Sequence, residues 1–218
     1  MKILFFGDSI TDAGRNREMG SHMSTLGWGF VRCIADRLQG GALDKYEIVN
    51  RGISGNRIVD LYARIKEDVW NEQPDVVSIL IGVNDIWHEI SRRSGVDIVR
   101  FEKVYRMLLE DMKTYLPNAK IILCEPFVLE GTATQNTQEI PDKYEMFCQV
   151  YAYAKVVKKL AREFALSFLP LQEKFTLGAQ KTQASDYLYD GVHPHIAGAT
   201  LIADEWVKLF KQEVMDNK

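Results

Sequence analysis

"KILFFGDSITDAGR" (residues 2–15) decides how the rest of the chain is read. Its apolar run, Ile3-Leu4-Phe5-Phe6, stops at Gly7, and Asp8-Ser9 follow with no spacer. An apolar run without alternation has no polar face, which suits a strand covered on both sides. "YEIVNRG" (46–52), "DVVSILIG" (75–82) and "AKIILCEP" (119–126) have the same form, each ended by Gly or Pro, and the shorter "LSFLPL" (166–171) is a fifth. Amphipathic patterns over 27–39, 57–72, 98–116, 142–164 and 196–214 predict helices between them. Strand and helix alternating at this spacing predict an α/β fold with βαβ units and a mainly parallel five-stranded sheet covered on both faces. The segments 11–26, 84–97, 127–141 and 178–195 read as irregular.

At 218 residues the chain is expected to form one domain, 1–218, with 46% hydrophobic and 26% charged residues in the ordinary globular range. A net charge of -3 and the lack of a basic stripe exclude a nucleic-acid binder. Cys33, Cys124 and Cys148 have no metal-ligand spacing and read as reduced, mostly buried thiols. "ILFF" is too short for a secretory leader, and no apolar run approaches the roughly 18 residues of a membrane span. A cytoplasmic protein that engages neither membrane nor nucleic acid is expected. "GSHM" (20–23) resembles a tag remnant but lies inside the chain.

Ligands of open α/β sheets bind beyond the carboxyl ends of the strands. Here the strand ends supply the Ser9 hydroxyl, the Gly52 amide and the Asn84 carboxamide. A serine hydroxyl attacks only when a base takes its proton. In "YDGVHPHIAG" (189–198), Asp190 stands three residues before His193, within reach of its imidazole N–H. That contact would fix the tautomer of a general base. Ser9 N–H, Gly52 N–H and the Asn84 amide are the candidate donors to a developing oxyanion. His195, five residues past Asp190, is the rival base and reads as a capping histidine. Asp190 and His193 with the H-x-H pair could also signal a metal, but nothing nearby supplies the further ligand and matching second shell of a catalytic site.

"FFGDSIT", "NRGISGN", "IGVND" and "DGVHP", in this order over residues 5–195, resemble the SGNH, or GDSL-type, hydrolases. That resemblance implies a three-layer α/β/α, flavodoxin-like fold and ester hydrolysis through an acyl-enzyme with no metal or organic cofactor. It implies Ser9 as nucleophile, His193 as base, Asp190 as its partner, and Ser9, Gly52 and Asn84 as the oxyanion hole. The chain has "GDSI" where the name-giving motif has "GDSL". The wording of "GDSITDAGR", "GISGNRIVDL" and "GVNDIWHE" is similar to that of the SGNH esterases that deacetylate xylan and xylo-oligosaccharides. An acetylated carbohydrate, taken as a small fragment, is therefore the expected substrate. A lysophospholipase, thioesterase or arylesterase is the alternative within enzymes. A flavodoxin-like binding protein is the alternative outside them, although "GDSITD" has no glycine-rich phosphate cradle.

Trp28, Trp87 and Tyr189 are candidate substrate-binding aromatics, with core packing as their other reading. Asp8, Asn56 and Asp85 read as structural, and His22 and His88 as surface or pocket-rim residues. Phe101, Tyr105 and Tyr151 fall at helical spacing and read as core. The amphipathic helices leave room for homo-oligomer formation.

Overall fold

The structure is a computed structural model that describes residues 1–18, 23–39 and 45–215. His22 lies outside the described residues. The apolar runs form β1 (Lys2–Gly7), β2 (Glu47–Gly52), β3 (Val76–Leu80), β4 (Lys120–Cys124) and the short β5 (Ser167–Leu169). All four pairings are parallel, in the order β2-β1-β3-β4-β5. Gly7 stands in register with Gly52 on one side and Leu80 on the other, so three strand ends converge there.

The helices are α1 (Ser9–Asp12), α2 (Phe30–Gln39), α3 (Ile58–Ile65, continued by a π turn over Lys66–Trp70), α4 (Val83–Arg92) and α5 (Ile98–Tyr115). They continue with α6 (Lys143–Phe147), α7 (Val150–Glu163), α8 (Gln172–Lys181), α9 (Ala184–Tyr187) and α10 (Ile196–Phe210, followed by a π turn over Lys211–Met215). Alternate residues of β1 separate the layers. Phe5 meets Phe30 of α2 and Trp206 of α10, at ring-centroid distances of 5.8 and 5.1 Å. Phe6 points the opposite way, with the Arg64 guanidinium of α3 4.4 Å from its ring centre. α5 packs between α3 and α7 on that side. Both Phe rings are fully buried, and each contributes about 1.5–3 kcal/mol through burial. At the sheet centre Trp206 Nε1 donates to Ser78 Oγ over 3.0 Å. The expected three-layer α/β/α architecture is observed. No helix among the described residues is long and apolar enough to cross a membrane.

Several expectations are corrected. The segment 84–97 holds most of α4, whose buried Val83 and Ile86 and half-buried Trp87 and Ile90 follow helical spacing. It begins at Gly82, with φ 138° and no capping side chain, so no sequence start signal marks it. The segment 178–195 holds the end of α8 and all of α9. The helix expected over 142–164 splits after Phe147, because the Tyr151 and Ala152 N–H groups bond three residues back, to Cys148 and Gln149, in tighter turns. Tyr151, read as core, is 38% exposed, whereas Phe101 and Tyr105 are buried. Of the cysteines only Cys124 is buried; Cys33 and Cys148 are half-buried thiols.

Candidate active site

Ser9 owes its position to a sharp stop after β1. A Cβ on Gly7 would come 2.3 Å from Thr11 Oγ1 and 2.5 Å from Leu80 O, so only glycine lets the chain turn there. Asp8 caps α1: its Oδ1 accepts the Ile10 N–H over 2.9 Å. α1 ends after four residues at Ala13, which is left-handed with φ 42°. Ser9 is thus the first residue of a one-turn helix at the sheet's carboxyl edge. Its own N–H makes no hydrogen bond among the described residues.

The partner loop arrives from the far end of the sequence. Asp190 Oδ1 accepts the N–H groups of Val192 and His193, at 2.9 and 2.8 Å, which folds the loop into a tight turn. Gly191 at φ 97° is held against Thr134, where a Cβ would meet Oγ1 at 2.4 Å. The other carboxylate oxygen, Oδ2, lies 2.7 Å from His193 Nδ1. His193 Nε2 in turn lies 2.8 Å from Ser9 Oγ. With Asp190 ionised, the imidazole proton sits on Nδ1 and the Nε2 lone pair faces the hydroxyl.

Electrostatics reinforce this arrangement. Burial works against the Asp190 charge, but the His193 bonds and two backbone N–H groups outweigh it and hold the carboxyl below its usual range. Burial likewise disfavours the His193 cation, yet Asp190, aided by Asp8, keeps its pKa above the ordinary imidazole value. Asp8 differs. It is 1% exposed, its Oδ2 has no hydrogen-bond partner among the described residues, and burial pushes its pKa up to about 7. Asp85, buried nearby, caps α3 by accepting the Ile58 N–H, and burial raises it strongly, with the Asp8 charge adding to the effect.

The oxyanion side departs from the sequence reading at one position. Gly52 does not offer its N–H: that hydrogen is bonded to Asn50 Oδ1 over 2.8 Å. Gly52 serves close packing instead, since a Cβ there would lie 2.2 Å from Asp12 N. The unengaged amide belongs to Gly55, in the turn that follows, at φ 81°. Both glycines stand in "NRGISGN". The signal that separates them is Asn50, whose side chain can fold back onto the N–H two residues on. Asn84 is buried in the first turn of α4, and one amide hydrogen donates to Asn56 O over 3.1 Å, tying it to the Gly55 turn.

A cavity of about 170 Å³ opens over Ser9 and His193, walled by Trp28, Tyr189, Ser54 and Pro194. Trp28 is 64% and Tyr189 45% exposed, and Tyr189 stacks on the His193 ring at 5.6 Å. Trp87 does not line this cavity. It packs edge-on against Phe147 at 5.5 Å and lies 5.9 Å from the His193 ring. Asn56 is structural, accepting from Arg64 Nε over 2.7 Å. His88 is half-buried at the rim, 3.9 Å from where a Gly55 Cβ would lie. His195 is exposed; its backbone, not its ring, starts α10. No group of three or more His, Cys, Asp or Glu side chains among the described residues is placed to hold a metal ion.

Comparison with known proteins gives concordant likenesses. A model of the GDSL-like Lipase/Acylhydrolase family matches residues 5–201. The chain is 34% identical over 213 residues to an acetylxylan esterase of Geobacillus stearothermophilus, covering 95% of this chain and 92% of that one. A crystal structure of a GDSL-like lipase from Parabacteroides merdae superposes with a TM-score of 0.86 at 40% identity, covering 95% and 94% of the two chains. A variant of the Geobacillus enzyme described as an acetyl-xylooligosaccharide esterase superposes with a TM-score of 0.82 at 34% identity, covering 95% and 92%.

Proposed function

The chain belongs to the GDSL-like lipase/acylhydrolase family and is a carboxylic ester hydrolase; on that premise we propose that it removes acetyl groups from xylo-oligosaccharides through an acyl-enzyme on Ser9. The observation that carries the mechanism is the hydrogen-bond chain of 2.8 Å from Ser9 Oγ to His193 Nε2 and 2.7 Å from His193 Nδ1 to Asp190 Oδ2.

In the proposed reaction His193 Nε2 takes the Ser9 proton as Oγ attacks the ester carbonyl. Asp190 holds the tautomer and stabilises the imidazolium. The Ser9 N–H, the free Asn84 amide hydrogen and the Gly55 N–H, in place of that of Gly52, donate to the oxyanion. His193 then protonates the departing sugar oxygen. Water, deprotonated by His193, attacks the acetyl-enzyme and releases acetate and free Ser9. Substrate, water and side chains together supply every proton and electron pair in these steps.

The substrate assignment rests on two supports. The 170 Å³ cavity suits an acetyl group rather than a long acyl chain, and the exposed Trp28 and Tyr189 offer amphipathic faces to a sugar ring. The relatives are described as acetylxylan and acetyl-xylooligosaccharide esterases. The test compares aryl acetate, butyrate and octanoate esters with acetylated xylo-oligosaccharides, using Ser9→Ala as control. Rates are expected to fall with acyl length, and Ser9→Ala to lose at least about 10⁴-fold in kcat. Retention of most activity in Ser9→Ala would overturn the mechanism. A rate rising through octanoyl would overturn the deacetylase reading and leave the esterase.

A further inference from the structure

Consecutive residues line two different cavities. Ala13 and Gly14 face the Ser9 cavity, whereas Arg15 and Asn16 face a larger one of about 480 Å³ whose walls include Arg17 and Arg51. Three arginines, Arg15, Arg17 and Arg51, line this second cavity together with Glu47 and Glu72, in a protein of net charge -3. Two of the three have a carboxylate within 4 Å: Arg17 pairs with Asp12 and Arg51 with Glu72. Arg15 has none.

Arg15 is nonetheless held in place. It is half-buried, its Nε donates to Gly52 O over 2.8 Å, and its backbone N–H donates to Asp12. Neither Nη makes a hydrogen bond among the described residues. Beside it, Arg51 Nε is buried without a hydrogen-bond partner among the described residues and lies 3.9 Å from Asp68. A guanidinium braced at Nε with a free fork is preorganised for two parallel bonds to a planar oxyanion. Burial, then the neighbouring Arg17, pushes the Arg15 pKa down, a penalty that a bound anion would relieve. A lone inorganic ion would leave most of the 480 Å³ unfilled, whereas a sugar ring carrying a carboxylate would occupy it.

We propose that Arg15, flanked by Arg17 and Arg51, is an anion-binding subsite beside the Ser9 cleft that takes the carboxylate of a uronic-acid unit on the acetylated saccharide. This inference rests on the deacetylase reading above and adds an acidic substituent to its substrate.

The test measures kcat/KM on two acetylated xylo-oligosaccharides that differ only in a uronic-acid side unit, with p-nitrophenyl acetate alongside. The wild type is expected to favour the acidic substrate about ten- to a hundredfold, through KM, with the preference shrinking as salt is added. Arg15→Gln should bring the ratio close to one, and Arg15→Lys should keep part of it. Because the ratio is taken within each variant, any general loss of fold or activity cancels. Equal rates in the wild type, or a preference that survives Arg15→Gln, overturns the subsite and leaves the deacetylase intact. Cleavage of the aryl acetate with neither oligosaccharide turned over overturns the deacetylase reading together with this occupant. In a calorimetric titration, tight inorganic phosphate binding that Arg15→Gln abolishes, combined with no oligosaccharide preference, would assign the site to a free anion and overturn its role in substrate binding.

Discussion

The loop that carries Asp190 and the corner that carries Asp8 both place a carboxylate beside the Ser9–His193 pair, and burial is the leading influence on each. They end on opposite sides of the usual carboxylate range. Asp190 receives the His193 Nδ1 contact on one oxygen and two backbone N–H groups on the other, and its pKa is lowered. Asp8 receives one N–H on Oδ1, nothing on Oδ2, and is pushed up to about 7. Donor supply therefore decides which buried acid stays ionised. The loop delivers a permanent charge to His193, and the corner a titrating one.

The largest effect should come from disturbing the charged side. Asp190→Asn keeps a carbonyl oxygen for the Val192 and His193 N–H groups, so the turn survives, but it replaces the Nδ1 partner and removes the charge. On the proposed mechanism kcat for p-nitrophenyl acetate should fall about 10³- to 10⁴-fold. A loss under about tenfold would mean that the turn geometry, not the Asp190 charge, is what His193 needs.

Asp8→Asn tests the other side and should act more gently. The amide oxygen can still accept from Ile10, while the titrating charge is gone. Asp8 raises the His193 pKa, so the acid limb of the kcat/KM profile should move to lower pH in the variant. Stability follows from the folded pKa of about 7 lying above the usual 3.8. Between those values the folded state holds more protons than the unfolded one, so the Asp8 contribution is complete below about pH 4 and fades as pH rises towards 7. Denaturant titrations at a series of pH values should therefore show Asp8→Asn gaining on the wild type across that window. An unchanged stability difference from pH 4 to 8 would show that Asp8 is ionised throughout.

The same contrast explains what was legible in the sequence. Asp190 and His193 are three residues apart, so a local pattern sufficed; Ser9 was marked by the end of an apolar run. Gly52 and Gly55 are alike in sequence, and only the fold shows which amide Asn50 has already engaged. Trp28 and Trp87 are equally large aromatics, but one lines the cavity and the other, on α4, packs against Phe147 and near the His193 ring. That helix carries no capping side chain and went unread. Arg15 gave no signal at all. Among the described residues its guanidinium has no carboxylate partner, and Asp12 and Glu72, drawn from separate segments, are engaged by Arg17 and Arg51.

The smallest effect is expected two residues beyond the proposed base. His195 is exposed, and its N–H bonds to Tyr187 O over 2.8 Å, so the backbone holds the start of α10 without help from the ring. Neither Asp190 nor Ser9 contacts it; the Asp190 oxygens are taken by the Val192 and His193 N–H groups and by His193 Nδ1. His195→Ala should keep kcat/KM within about twofold and leave the acid limb where it is, whereas His193→Ala should abolish turnover. The measurement is a pair of pH–rate profiles on the same aryl acetate. An acid limb that moves with His195 and not with Asp8 or Asp190 would reassign the base. The contrast between a donor-rich and a donor-poor carboxylate would then have no bearing on the chemistry at Ser9.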